Sequence, residues 1–341
     1  MIEESAMGVP LVEIVDLQKY FNTPKGKLHA VDHVNMKFEA GKTMGVVGES
    51  GCGKSTLGRT IIHLQESTGG KIYYEGRDVT KVNQKELHEL RQNMQIIFQD
   101  PFSSLNPRYT VEETLKESLI MSGTDRRSLS SEITKLMDMV GIAQRLRMAY
   151  PHEMDGGRRQ RVGVGRALAM NPKFIVCDEP VSALDVSIQA QVLNLLMDLQ
   201  DEFHLSYMFV THDLSVVRHI SDEISVMYLG QLVETSPSGE LFKYPLHPYT
   251  KALLSAIPTT EIGVKKQRII LKGELTSPIN PGKGCRFAAR CPYASEACAN
   301  PQHLEEILPG HFVSCCKARE INQAVLNNGQ HTEENSEAVP S

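Results

Sequence analysis

The 341 residues carry no excess of basic charge: 36 Lys and Arg stand against 41 Asp and Glu, for a net charge of -5. No global attraction to nucleic acid is built in, so contact with RNA or a membrane surface would have to be local. Also missing is any uninterrupted apolar run approaching the roughly 20 residues that span a bilayer. The opening Met-Ile-Glu-Glu-Ser is acidic where a secretory leader is basic, and the chain is expected to stay in the cytoplasm. No Cys-x-x-Cys pair occurs among the seven cysteines, and a disulfide framework is not expected at this length in that compartment. What remains, 41% hydrophobic and 23% charged, is the composition of an ordinary globular protein, one large domain with an appendage.

What is present begins at residues 44–56, Met-Gly-Val-Val-Gly-Glu-Ser-Gly-Cys-Gly-Lys-Ser-Thr: a short apolar strand, a glycine-rich turn and the start of a helix. Gly48, four residues, then Gly53, Lys54 and Ser55 fit the Walker A spacing. In that pattern backbone N–H groups cradle phosphate, the lysine reaches its outer oxygens and the hydroxyl holds magnesium. A nucleoside triphosphate is the expected ligand.

Ahead of this loop, apolar and polar residues alternate over 11–16 and 28–38, as in strands exposed on one face. Between them Tyr20 and Phe21 precede the turn cluster Asn-Thr-Pro-Lys-Gly, a bend where an adenine can stack or where both rings can be core. After the loop the pattern predicts a helix over 56–65, a strand over 71–74 and a buried strand over 94–98, ended by Asp100-Pro101. Gln99 at that strand end can reach a metal or a water. Helical spacing over 111–121 and 131–140 marks a helical insertion in an α/β framework, and 151–161 opens a further helix to about residue 170.

Phe174-Ile175-Val176-Cys177-Asp178-Glu179 reads as a fully buried parallel strand with two carboxylates at its C-terminal end, where ligands of α/β sheets collect. Metal and base for nucleotide hydrolysis are arranged this way. Ile188, Val192, Leu195, Leu196, Leu199 and Phe203 form a core stripe on the next helix. A strand over 207–210 then delivers Thr211-His212-Asp213 to the same rim, and strands over 224–228 and 232–233 finish the sheet. Prolines thicken from Pro245, placing a boundary near 258, and the last twenty residues are expected to be a disordered tail.

Taken together, residues 11 to about 258 resemble the nucleotide-binding subunit of ATP-binding-cassette (ABC) transporters. The resemblance implies an α/β P-loop ATPase core with an antiparallel β subdomain and a helical subdomain over about 101–170. Residues 1–258 are then the nucleotide-binding domain, 259–320 a C-terminal Cys-rich, metal-binding or regulatory extension, and 321–341 the tail. ATP and Mg2+ are the implied cofactors. By the same resemblance Phe21, in preference to Tyr20, stacks adenine, and Gly48, Ser50, Gly51, Gly53, Lys54, Ser55 and Thr56 hold the phosphates. Ser55, Gln99 and Asp178 serve magnesium, Glu179 is the general base, Asp185 the D-loop residue and His212 the switch histidine. Gln99 also marks the groove that receives a membrane subunit's coupling helix. Phosphoryl transfer needs such parts: magnesium between phosphates, a carboxylate to orient water, and positive groups for the transferred charge.

Within that superfamily Phe98-Gln99-Asp100-Pro101, Leu105-Asn106-Pro107-Arg108, Ser182-Ala183-Leu184-Asp185-Val186-Ser187 and His247-Pro248-Tyr249-Thr250-Lys251-Ala252-Leu253-Leu254 resemble the oligopeptide, dipeptide and nickel importer branch. That implies a second, non-identical ATPase subunit, two membrane permease subunits and an external substrate-binding protein as partners, no nucleic acid, and a place on the cytoplasmic face of the membrane.

The signature position reads Met154-Asp155-Gly156-Gly157-Arg158, where the family has Leu-Ser-Gly-Gly-Gln. In the family's sandwich dimer each site joins one subunit's phosphate loop to the other's signature, whose helix N-terminus and hydroxyl face the γ-phosphate. Asp155 puts a carboxylate there. Two unit charges 4 Å apart repel by about 4 kcal/mol at an effective dielectric near 20, against roughly 0.3–1 kcal/mol gained at an exposed helix terminus. Arg158, Arg159 or protonation relieves part of this. Unequal sites in a heterodimer are expected: this chain's loop, Asp178, Glu179 and His212 fire against an intact partner signature, and the site completed by Asp155, Gly156 and Gly157 is slow. The alternative is that the two glycines donate through their backbone and Asp155 is tolerated.

Cys285, Cys291, Cys298 and Cys315, with Cys316 adjacent, are spaced to close one tetrahedral site, and spacing alone does not choose between zinc and an iron–sulfur cluster. Resemblance favours [4Fe–4S] on Cys285, Cys291, Cys298 and Cys315, with Zn2+ or free thiols as alternatives. Three functions compete: an importer ATPase for peptides, nickel or another small solute; a soluble cassette ATPase on nucleic acid or ribosomes, which would normally duplicate the cassette or insert a basic linker; and an ATPase gated by its metal site.

Overall fold

A computed structural model describes residues 8–257, 268–271, 273, 277–324 and 326. The boundary expected near 258 and most of the expected tail lie outside the described residues. Strands β1 (Val12–Thr23) and β2 (Gly26–Phe38) open the chain, and β3 (Thr43–Val47) leads through the glycine-rich turn into α1 (Lys54–Ile61). That helix ends short of residue 65 because His63 adopts a left-handed φ of 55°. His63 N–H donates to Thr60 O (3.2 Å) and Leu64 N–H to Arg59 O (2.9 Å), the paired bonds of a Schellman cap. Strands β4 (Gly69–Tyr74) and β5 (Arg77–Asp78) precede α2 (Gln84–Asn93), which Asn83 and Glu86 cap reciprocally, and β6 (Met94–Ile97).

Four helices follow with no intervening strand: α3 (Pro101–Ser104), α4 (Val111–Met121), α5 (Leu129–Met139) and α6 (Gly156–Leu168). Then β7 (Phe174–Asp178), α7 (Val186–Phe203), β8 (Ser206–Thr211), α8 (Leu214–Ile220) and β9 (Glu223–Tyr228) alternate, and β10 (Gln231–Pro237) follows β9 directly. Helices α9 (Ser238–Lys243) and α10 (Pro248–Ser255) come before a C-terminal hairpin of β11 (Glu305–Leu308) and β12 (His311–Val313) and the short α11 (Ala318–Ile321). Among the described residues no helix is long and apolar enough to cross a membrane.

Contacts divide the chain into two compact units. The first holds the chain up to Lys19, His33–Met44 and Ser55–Thr211. Here β1, β4 and β5 pair antiparallel, with Val12 opposite Tyr74 and Tyr73 opposite Asp78. Strands β6, β7 and β8 pair parallel, Ile97 opposite Cys177 and Asp178 opposite Val210. Every residue of β7 and β8 is buried, as a parallel strand covered on both faces requires. On α7 the expected stripe is buried at Val192, Leu196 and Leu199, half-buried at Ile188 and Leu195, and lost at Phe203, which is 39% exposed where left-handed His204 turns the chain into β8.

The second unit holds Tyr20–Asp32, Gly45–Lys54 and the chain from His212 on. Strands β9, β10, β12 and β11 pair in that order, all antiparallel. Tyr228, Tyr249 and Phe287 meet edge-on or tilted, with ring centroids 4.7–5.4 Å apart, inside a core that also holds Val226 and Leu241. Phe287 lies between Cys285 and Cys291, so the described part of the cysteine region packs into the same core as β9 and α10.

His247 caps α10 with its ring: Tyr249 N–H donates to Nδ1 (3.1 Å), while Glu234 accepts the His247 N–H (2.9 Å). Burial pushes the imidazole down to about 4, against a smaller opposing pull from the Glu234 carboxylate. The unfolded chain, with His near 6.5, binds the extra proton first, so stability is full above about pH 6.5 and falls as pH drops toward 4, by about 3 kcal/mol in all. Urea midpoints at pH 7 and pH 5 check this. His247→Asn, which keeps a capping oxygen without titrating, should lose about 2 kcal/mol less than the parent over that interval. Equal losses would contradict the assignment.

Candidate active site

In the second unit the glycine-rich turn needs its glycines for close approach. A Cβ on Gly53, at φ 107°, would sit 2.0 Å from Ala30 O, and one on Gly48 would sit 2.1 Å from Met227 O. Lys54 is 4% exposed and its Nζ donates to Gly48 O (2.8 Å) and Glu49 O (3.0 Å), so the ammonium lies within the loop it would share with phosphate. Burial raises the Cys52 thiol, with Lys54 working against it, which keeps that sulfur an inert packing group. Tyr20 is occupied: its ring stacks on His29 at 4.0 Å and its hydroxyl donates to Asp32. Phe21 is half-buried and next along β1. His212 is exposed, just before α8.

In the first unit α1 begins at the loop's end and aims Ser55 at β7: Ser55 Oγ donates to Asp178 Oδ1 (2.6 Å). Arg59 Nη2 donates to Asp178 Oδ2 (3.1 Å), so the buried carboxylate is fully engaged. Arg59 was not singled out from sequence, although it stands one turn beyond Ser55 on the same helix face. Pairing of Ile97 with Cys177 brings the ends of β6 and β7 together, and there Gln99 Nε2 donates to Glu179 Oε2 (2.9 Å). Glu179 is 9% exposed and holds a left-handed φ of 47°, a conformation that costs energy in a non-glycine residue and concentrates at functional sites. A hydroxyl, two carboxylates and an amide oxygen, all hard donors, fit magnesium chemistry.

Asp155 is the N-cap of α6, accepting the Arg158 N–H at Oδ1 (2.8 Å), and Arg158 Nη1 lies 3.4 Å from Oδ2. Gly157 serves packing as well: a Cβ there would meet Ile188 Cγ2 at 2.4 Å. Asp185 is exposed at the N-cap of α7.

The five cysteines of the C-terminal segment sit in different surroundings, four of them half-buried and Cys316 exposed. Cys298 Sγ lies 4.0 Å from Cys316 Sγ, whereas Cys315, chosen from sequence, packs against the apolar cluster of Leu246, Val313 and Ala318. Burial raises the thiols of Cys285, Cys291 and Cys315, the last to about 11, and neighbouring sulfurs add to each. Among the described residues no group of three or more His, Cys, Asp or Glu side chains is placed to hold a metal ion.

A family profile described as "ABC transporter" matches residues 31–182, and one described as "Oligopeptide/dipeptide transporter, C-terminal region" matches 233–298. The chain is 48% identical to the oligopeptide transport ATP-binding protein AppF of Bacillus subtilis, over 89% of this chain and 96% of that protein. It is 48% identical to OppF of Salmonella typhimurium, likewise an oligopeptide transport ATP-binding protein (90% and 96%). To the dipeptide transport ATP-binding protein DppF of Haemophilus influenzae it is 46% identical (92% and 99%). Among solved structures, CbiO1 of Clostridium perfringens, part of the ABC transporter complex CbiONQ, shares the fold with a TM-score of 0.62 at 24% identity, over 69% of this chain and 91% of that one. A dimeric post-hydrolysis form of the ATP-binding cassette MJ0796, bound to ADP and Pi, matches with a TM-score of 0.61 at 26% identity (67% and 98%). The chain belongs to the ATP-binding subunits of ABC transporters, ATPases that hydrolyse ATP to power transport.

Proposed function

We propose that this chain is an ATP-hydrolysing subunit of an importer for oligopeptides or dipeptides. It sits on the cytoplasmic face of the membrane, beneath two permease subunits fed by an external substrate-binding protein and beside a second, non-identical ATPase. The observation that carries this is near end-to-end similarity to peptide-transport ATP-binding proteins, together with Ser55 and Gln99 seated on the two acids of β7. Nickel or another small solute is the competing cargo.

ATP is held by residues 48–56, with Phe21 against the adenine. Ser55, Asp178 and Gln99 hold Mg2+, which when bound neutralises charge on the phosphates. Glu179 orients the attacking water and takes its proton, Lys54 and His212 face the transferred phosphoryl, and Asp185 borders the site. A groove of about 340 Å3 in the first unit supports a permease contact: it is lined by Leu64, His88, Arg91, Gln95, Met121 and Arg166, and Leu64 and Met121 are exposed. Asp155, with Gly156 and Gly157, completes the partner's site. A serine would cap α6 equally well, so the aspartate adds only charge, partly offset by Arg158, and that second site turns over slowly. In the assembled complex, peptide uptake should stop with Glu179→Gln in this chain; undiminished uptake would refute the reading.

For the cysteine segment, spacing and resemblance support [4Fe–4S], with zinc competing; neither group takes part in hydrolysis. An anaerobic preparation should be brown, absorb near 400 nm and contain iron and sulfide. Stoichiometric zinc without iron, or bare thiols, would reject the cluster.

A further inference from the structure

The cysteine-bearing segment reaches into the phosphate loop. Its short 3-10 turn Ala288–Arg290 is anchored by Phe287 in the ring cluster with Tyr228 and Tyr249. From there Arg290 donates Nη1 to Glu49 Oε2 (2.8 Å) and Nη2 to Glu49 Oε1 (3.1 Å), a bidentate pair across 241 positions of sequence. The Arg290 side chain is 10% exposed; its Nη1 is also 3.4 Å from the Tyr228 hydroxyl. Glu49 is held from a second side, its N–H donating to the Tyr249 hydroxyl (2.9 Å). Its carbonyl accepts from Lys54 Nζ (3.0 Å) and from Cys52 N–H (3.3 Å). Glu49 thus links the lysine of the loop to an arginine of the cysteine segment.

A carboxylate inside a loop built for a polyanion opposes its own ligand unless it is neutralised and held aside. A planar guanidinium fork does both, fixing charge and direction at once. We propose that Arg290 is a positioning residue for ATP binding: by clamping Glu49 it removes the loop's own negative charge and sets its shape, so the cysteine segment tunes nucleotide affinity. This rests on residues 48–56 being the triphosphate cradle.

The test is the ATP dependence of hydrolysis in the assembled complex. Arg290→Ala should raise KM for ATP about tenfold, which is 1.4 kcal/mol, with kcat within about twofold. Arg290→Lys, which keeps the charge and loses the fork, should raise it about threefold, and remains informative if the alanine variant fails to fold. Adding Glu49→Gln to Arg290→Ala should restore most of the affinity, because the unpaired carboxylate is gone. Unchanged KM in both arginine variants, or no recovery in the double variant, would make Arg290 a purely structural anchor and overturn the proposal. Lys54→Ala separates the two layers. If it weakens ATP binding while the arginine variants do not, only the Arg290 role falls; if it does not, the cradle reading falls and the proposal with it.

Discussion

Glu179→Gln in this chain is expected to cut ATP hydrolysis by the assembled complex by about 10²–10⁴, the usual contribution of a positioned general base, while ATP still binds. The carboxylate is fixed on three counts: its buried position at the end of β7, its left-handed backbone, and the Gln99 amide on Oε2 at 2.9 Å. Its N–H donates to Val210 O (3.0 Å), which ties the residue to β8. Glutamine keeps the size and the contact with Gln99 but has no basic oxygen for the water's proton. None of the groups assigned to the phosphates is altered, so binding of a fluorescent ATP analogue should stay within about threefold of the parent, an energy under 1 kcal/mol. Hydrolysis within a factor of ten of the parent, with the equivalent carboxylate of the partner ATPase changed as well, would remove Glu179 from the base role.

Lys54→Ala should instead abolish binding. A unit charge about 4 Å from a phosphate oxygen is worth about 4 kcal/mol at an effective dielectric near 20, nearly three orders of magnitude in affinity. The ammonium is already inside the loop, on Gly48 O and Glu49 O, and needs only a short reorientation to reach a phosphate. Nucleotide titration of the full chain should show a Kd raised at least about a hundredfold, and Lys54→Arg should not restore it, because a planar guanidinium does not reproduce the compact ammonium held on Gly48 O and Glu49 O. A Kd changed less than about threefold would place the triphosphate elsewhere.

The parts legible in the sequence share one property: their signal is local. The Val-Val strand and glycine turn announce the loop, a run of four apolar residues before Asp178 announces a buried strand, and i,i+4 spacing from Ser55 to Arg59 was available to be read. Helix α2 gave no such signal, since Leu90 is its one fully buried residue. The length of α1 was misjudged because His63 takes a conformation usually left to glycine. Phe203 fits the apolar stripe of α7 but lies beyond the covered part of the helix. Least legible were contacts between distant segments. Nothing local marks Arg290 as the partner of Glu49, or separates Cys315, packed against the Leu246 and Val313 cluster, from Cys316 beside Cys298.

Unequal sites are the central claim, and they have a direct measurement. Two complexes should be assembled, one with Glu179→Gln in this chain and one with the equivalent carboxylate changed in the partner ATPase, and their steady-state ATP hydrolysis compared. Loss of nearly all activity in the first and retention of most in the second is the expected result. Equal residual activity in the two would show that Asp155 does not slow the site it completes.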